Sequence, residues 1–139
     1  MEEKLRKLAE KCVGWRYAPR GRDYDGGHVD CFGLFLLFAR EMGFEIPDFE
    51  YEEDWHKQGE DRIIDGYPKY ADAIDRTELR PGDIILYRWS RDIVNHVAIF
   101  LGEGRCITCT KNAGVVIVDT AMQPFNRRMH STYRLKQRA

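Results

Sequence analysis

The chain of 139 residues lacks any apolar run approaching the roughly 20 residues that a membrane-spanning helix requires. No membrane partner is therefore expected. It also lacks an excess of charge of either sign. Its 22 Lys and Arg stand against 23 Asp and Glu, for a formal charge of −1, which is not the basic footprint of a nucleic-acid binder. Low hydrophobicity is absent too: 43% of the residues are apolar, which excludes a disordered chain. No internal repeat or low-complexity segment is present. The opening Met1-Glu2-Glu3-Lys4-Leu5-Arg6-Lys7 carries no apolar core of a secretory signal, so synthesis in the cytoplasm is expected, with any export by another route. Cysteines are few, at 12, 31, 106 and 109, and without a signal peptide free thiols are the default. One domain over residues 1–139, long enough to bury a core, is the organisation these bounds leave.

The stretch from Gly26 to Gly43 is the most informative. Asp30 suits a helix N-cap, Gly43 a C′ position, and Pro47 lies just beyond, so residues 31–42 read as one helix. Phe32, Leu34, Phe35, Leu36, Leu37 and Phe38 make it apolar on almost every side, which predicts burial inside the protein. Cys31 falls at the start of this helix, where backbone N–H groups lack intrahelical partners and the macrodipole is positive. That environment favours thiolate and hence a nucleophile. A small residue packed under the helix is the plainer reading of the same position.

Around this helix the chain reads as helices first and strands afterwards. Residues 2–12 predict an amphipathic helix with Leu5, Leu8, Ala9 and Cys12 on one stripe, ended by Gly14. Residues 15–27 form a long loop rich in arginine, aromatics and glycine, a composition that suggests function. Residues 45–66 read as an acidic excursion covering one side of the site, and a short helix is expected near 69–75. From Asp83 on, β-rich segments follow at 83–87, 96–101, 105–110, 115–119 and 131–135. Gly102-Glu103-Gly104 and Asn112-Ala113-Gly114 are the expected hairpin turns. This order describes an α+β domain.

A thiolate nucleophile needs a base, usually imidazole. His28 lies on the loop, and His56 and His130 lie in polar, poorly patterned surroundings. His96 opens a strand after the polar loop 89–95, and a strand can hold an imidazole against a helix start better than a loop can. Cys31 with His96 is the candidate pair.

These residues carry a resemblance. Gly14-x2-Tyr17-x3-Gly21-Arg22, Val29-Asp30-Cys31-x-Gly33-Leu34, Leu79-Arg80-Pro81-Gly82-Asp83-Ile84 and Asn95-His96-Val97-Ala98-Ile99-Phe100-Leu101-Gly102 together resemble the NlpC/P60 family of papain-like cysteine peptidases. Members cleave stem peptides of bacterial peptidoglycan, commonly beside γ-D-glutamyl bonds to a diamino acid. The arginine-rich approach to Cys31 most resembles the branch found in phage tails and prophages. The resemblance implies a papain-like fold with the nucleophile at the start of a central buried helix, packed on a C-terminal antiparallel sheet. It makes Cys31 the nucleophile and His96 the general base that later protonates the leaving amine. Tyr17 matches a tyrosine beside the nucleophile, and the Cys31 backbone N–H is a candidate oxyanion donor. Asp30 reads mainly as the helix cap, and substrate contacts are expected from Asp30, Arg20, Arg22 and Asn95. The third polar residue, most often histidine, falls twelve positions after the base, where this chain has Thr108. A threonine hydroxyl can accept from the imidazole but brings no charge. A peptidoglycan peptide and phage tail proteins are the expected partners, incorporation into a tail is the expected location, and no cofactor or metal is implied.

Three other readings compete. A zinc site on His28, Cys31, Cys106 and Cys109 has four suitable ligands. Cys106 and Cys109, however, lie three apart on a predicted strand and should point to opposite faces. A non-catalytic tail or wall-binding module of the same fold is favoured by Thr108. An amidase or acyltransferase would use the same Cys-His pair, since fold and dyad do not fix the bond cleaved.

Overall fold

The computed structural model describes residues 2–48, 70–90 and 93–136, with residues 89–90 and 93–95 described in backbone only. Helix α1 (Glu2–Cys12) carries Glu2 and Glu3 in its first turn and Lys11 in its last, each matching the helix dipole. It buries Leu5, Ala9 and Cys12. The segment after it, expected as a loop, contains three two-residue strands: β1 (Arg16–Tyr17), β2 (Arg22–Asp23) and β3 (His28–Val29). They pair in the order β1-β3-β2, with β1 parallel to β3. Pairs this short leave no periodic signal in the sequence.

Helix α2 (Cys31–Glu41) is the buried helix the sequence predicts. Leu34, Phe35, Phe38 and Ala39 are fully covered, and Gly33 explains how. A Cβ at Gly33 would collide with the Gly21 carbonyl, so the absence of a side chain lets the loop close over the first turn of α2.

The rest of the described chain builds one six-stranded antiparallel sheet. Its strands are β4 (Ala71–Ile74), β5 (Ile84–Ser90), β6 (Ile93–Gly102), β7 (Arg105–Thr110), β8 (Gly114–Asp119) and β9 (Met129–Leu135), in the order β4-β9-β5-β6-β7-β8. A short helix α3 (Phe125–Arg128) precedes β9, and a 3₁₀ turn (Arg76–Glu78) follows β4. The helix expected near 69–75 is instead strand β4 over 71–74, because the Ala71↔Leu135 to Ile74↔Thr132 register offers this segment a sheet edge. The loop expected over 89–95 is mostly strand, since β5 and β6 extend toward each other. Both expected glycine hairpin turns form, with Gly104 and Gly114 at positive φ. Most of the acidic excursion, and His56 within it, lies outside the described residues.

Both faces of the sheet are covered. Ile84, Leu86, Val97, Ile99, Ile107 and Cys109 pack toward α1 and α2. Ile85, Tyr87, Ala98, Phe100 and Cys106 pack with Phe125 of α3 on the other side. This double burial is why Ile84-Ile85-Leu86-Tyr87 reads as a continuous apolar run. The Pro81-Gly82-Asp83 turn is a structural joint. Buried Asp83 takes two hydrogen bonds from Arg134, at 3.0 and 2.9 Å, and one from the Arg80 N–H at 2.8 Å, tying the start of β5 to β9. Among the described residues no helix is long and apolar enough to cross a membrane.

Helix propensity alone would make Gly33→Ala stabilising by about 1 kcal/mol. The collision with the Gly21 carbonyl reverses the sign, and a net loss of about 1–3 kcal/mol is expected. Denaturant unfolding of the variant measures it, and a gain in stability would refute the close approach.

Candidate active site

The site lies where the start of α2 meets β6 and β7. Asp30 caps α2, its Oδ1 accepting the Gly33 N–H at 2.6 Å. The capping geometry places Cys31 at the first helical position, half-buried, packed on the core cluster that contains Val97 and Cys109. Its sulfur accepts a hydrogen bond from the Val97 backbone N–H. Val97 is the residue after His96 on β6.

The electrostatics of Cys31 differ from the expectation drawn from the helix dipole. Burial pushes the thiol well above its ordinary range, and the Asp30 carboxylate adds to that push. The Val97 N–H and the Arg22 guanidinium act in the opposite sense. The N-cap that satisfies the helix start thus sets a negative charge beside the thiol, where the bare dipole would have been positive.

His96 projects from β6 to the face opposite α2 and is 5% exposed. Tyr87 stands directly across from it on β5, ring centroids 5.9 Å apart. The Thr108 Oγ1 lies 2.7 Å from His96 Nε2 and donates its own proton to the Val97 carbonyl at 2.8 Å. A hydroxyl has one proton to give. With that proton on the Val97 carbonyl, Thr108 accepts from His96, which assigns the imidazole proton to Nε2 and leaves Nδ1 as the acceptor. Burial depresses the His96 pKa to about 4, so the ring is neutral at pH 7.

The other predicted residues separate into groups. Tyr17 pairs with Val29 in parallel register, two residues before Cys31, and Lys111 Nζ lies 5.9 Å from its ring centroid. Arg20 is exposed in a turn with a φ of 54°. Arg22 is engaged within the fold, bonding Asp30, Asp48 and the Gly21 carbonyl. Asn95 lies on β6, and its side chain is outside the described residues. His28 is exposed beside Asp23, and His130 contacts Ser131 on β9. The four zinc candidates do not come together. Cys106 contacts the Tyr87 hydroxyl on the α3 face, whereas Cys109 donates to the Val29 carbonyl on the α2 face. This is the opposite-face placement that a spacing of three on a strand dictates. Among the described residues no group of His, Cys, Asp or Glu is arranged to hold a metal. Sequence reasoning missed Tyr87 and the Val97 N–H. Both depend on strand pairing and helix docking, which leave no local pattern.

Thr108→Val removes the partner of His96 Nε2–H and of the Val97 carbonyl in a dry environment. A loss of about 1–3 kcal/mol is expected in thermal or denaturant unfolding. A second outcome follows from His96, whose pKa is about 4 in the folded protein and ordinarily 6.5. The unfolded chain binds the proton first, so this contribution is complete above pH 6.5 and is lost as pH falls to about 4. Its size is roughly 3 kcal/mol. Unfolding free energy measured across this window should fall, and His96→Gln should flatten the slope.

Comparison with known proteins places this arrangement. A family model described as NlpC/P60 family matches residues 14–134. Tail tip assembly protein K of Escherichia phage lambda is 31% identical over 88 residues, covering 63% of this chain and 44% of that protein. An NlpC/P60 family protein from Bacillus cereus superposes with a TM-score of 0.74 at 20% identity, covering 96% of this chain and 40% of that one. The NlpC/p60 domain of the peptidoglycan hydrolase SagA gives 0.66 at 19% identity, with 96% and 98% covered. RipD of Mycobacterium tuberculosis, described as a non-catalytic NlpC/p60 domain protein adapted to peptidoglycan binding, gives 0.64 at 16%, with 95% and 94% covered. The chain thus spans less than half the length of the phage relative and of the Bacillus protein. With the family model matched across most of its length, from the small strands before Cys31 to β9, the chain belongs to the NlpC/P60 family.

Proposed function

We propose that this chain is a cysteine peptidase that hydrolyses an amide bond in peptidoglycan stem peptides, of the γ-D-glutamyl to diamino acid type. The observation that carries the reading is Cys31 at the capped start of α2, its sulfur on the N–H of Val97, the residue that follows His96. Thr108 donates to the Val97 carbonyl and accepts from His96 Nε2, which makes Nδ1 the nitrogen with a lone pair for a proton. In the first half-reaction the Cys31 sulfur attacks the amide carbonyl carbon as its proton passes to His96. Collapse of the tetrahedral intermediate breaks the C–N bond, and His96 returns that proton to the leaving amine. The acyl-thioester is then hydrolysed by water, which His96 deprotonates, restoring the thiol. The Cys31 backbone N–H, at the helix start, is a suitable donor to the oxyanion. The Tyr17 hydroxyl has the chemistry for the same task.

The phage relative supports a place for the chain in a tail assembly, with peptidoglycan as the substrate met during penetration of the cell wall. A second reading has its own observation in favour. Thr108 supplies no charge to stabilise imidazolium, and burial holds both Cys31 and His96 in their neutral forms. A peptidoglycan-binding module of the kind described for RipD would need neither group ionised.

Digestion of purified peptidoglycan fragments separates the two. The wild type is expected to release new free amines from the stem peptide. Cys31→Ser and His96→Ala are expected to lower the rate by at least about 10³-fold. A wild-type protein that retains muropeptides on a pull-down and releases no amine would establish the binding module instead.

A further inference from the structure

Arg22 stands where three segments cross. From β2 its Nη1 donates to Asp30 Oδ1 and to the Gly21 carbonyl, both at 2.9 Å. Its Nε and Nη2 bond the two oxygens of Asp48 at 2.8 and 3.0 Å. The guanidinium carbon lies 5.5 Å from the centroid of the Phe32 ring, one residue past the nucleophile. The Asp30 oxygen that Arg22 holds is the same oxygen that accepts the Gly33 N–H. One carboxylate atom therefore serves the helix cap and the ion pair together. Only a planar fork of N–H donors reaches all these acceptors at once.

The groups that act on the charge of the Cys31 sulfur come from four segments. Asp30 lies beside it in the chain, Arg22 comes from β2, Cys109 from β7 and the Val97 N–H from β6, where His96 adjoins. Arg22 is the full positive charge in this set, and Asp30 is the full negative one. The fold has placed the two in contact at the first turn of α2, with Asp48 sharing the guanidinium.

We propose that Arg22 is a positioning residue for the nucleophile: by clamping and offsetting the Asp30 carboxylate it sets how readily Cys31 yields its proton, with Asp48 drawing off part of its charge. The inference deepens the reading of Cys31 as the nucleophile and rests on it. It gives Arg22 a role through Asp30, in place of the direct substrate contact that the resemblance implies. The directions of influence on the thiol agree, with Asp30 pushing it up and Arg22 pulling it down.

The test is the pH profile of Cys31 alkylation by iodoacetamide, followed by peptide mass analysis so that Cys12, Cys106 and Cys109 are counted apart. Arg22→Gln removes the guanidinium charge from Asp30, so the profile should move up by about one pH unit, slowing alkylation about tenfold at a fixed pH below the midpoint. Asp30→Asn keeps an oxygen for the cap and removes the charge that Arg22 offsets. The Arg22→Gln, Asp30→Asn double variant should therefore return close to the wild-type profile, a rescue that a purely structural role for Arg22 would not produce. Asp48→Asn frees the guanidinium for Asp30 and should speed alkylation at fixed pH, which keeps the idea testable should Arg22→Gln fail to fold. An unchanged profile in Arg22→Gln, a double variant as slow as Arg22→Gln, or an Asp48→Asn variant no faster than wild type would overturn the assignment. Alkylation needs no peptide substrate, so these results stand apart from whether stem peptides are cleaved.

Discussion

Burying α2 on almost every side forces its polar start to be satisfied inside the protein. The first N–H groups of a helix have no intrahelical partners, and a helix end without them is costly in a dry environment. Asp30 meets that need with one short bond to Gly33, but its carboxylate is then itself buried and must be paired. Arg22 pairs it, the small β1-β3-β2 sheet holds Arg22, and the missing side chain of Gly33 lets that sheet close down. The segment between α1 and α2 is thus shaped by the capping requirement of a single helix. The same requirement works against a thiolate at Cys31: burial is the main push, and the Asp30 carboxylate adds to it.

A second constraint acts on His96. Strand β6 is covered on both faces, so consecutive residues go to different cores, Val97 toward α2 and His96 toward Tyr87 and α3. An imidazole in that position is dry and neutral. Its orientation cannot come from an ion pair without adding another buried charge, and Thr108 provides it with a neutral bond whose direction is set by the Val97 carbonyl. The substitution of a hydroxyl for the more usual imidazole at this place is therefore consistent with how completely the α3 side of the sheet is packed.

Much of this was legible in the sequence. The limits of α2 followed from Asp30 and Gly43, whose roles are local and chemical, and α1 followed from its stripe of Leu5, Ala9 and Cys12. The strands from β5 to β8 were visible because both faces are apolar and glycine marks the turns. Segments whose structure comes from distant partners were not. Ala71–Ile74 is a strand because β9 lies beside it, and Tyr17 is aligned with Val29 by a parallel pair of two residues. The pairing of Arg22 with Asp48, 26 residues on, likewise has no periodicity to betray it. At the site, the identity of the groups was readable, but their electrostatics were not. The position of Cys31 on the helix suggested a lowered pKa, and burial, with the Asp30 cap adding to it, reverses the direction.

The resting state that results has a neutral thiol at the start of α2 and a neutral imidazole on β6, and this bears on how such a site would act. A pre-formed thiolate and imidazolium pair would be two charges in a dry cleft, favoured only by strong partners for each. Here burial disfavours the charged form of each group, so moving the proton before the carbonyl arrives is unfavourable. If proton and sulfur move together, full charge never has to develop on Cys31, and the negative charge goes directly to the carbonyl oxygen, for which the Cys31 backbone N–H is the proposed donor. On this view the reactivity of Cys31 depends on a substrate carbonyl being present. Toward a simple alkylating reagent the thiol reacts more slowly, at a level that the proposed clamp of Arg22, Asp30 and Asp48 sets.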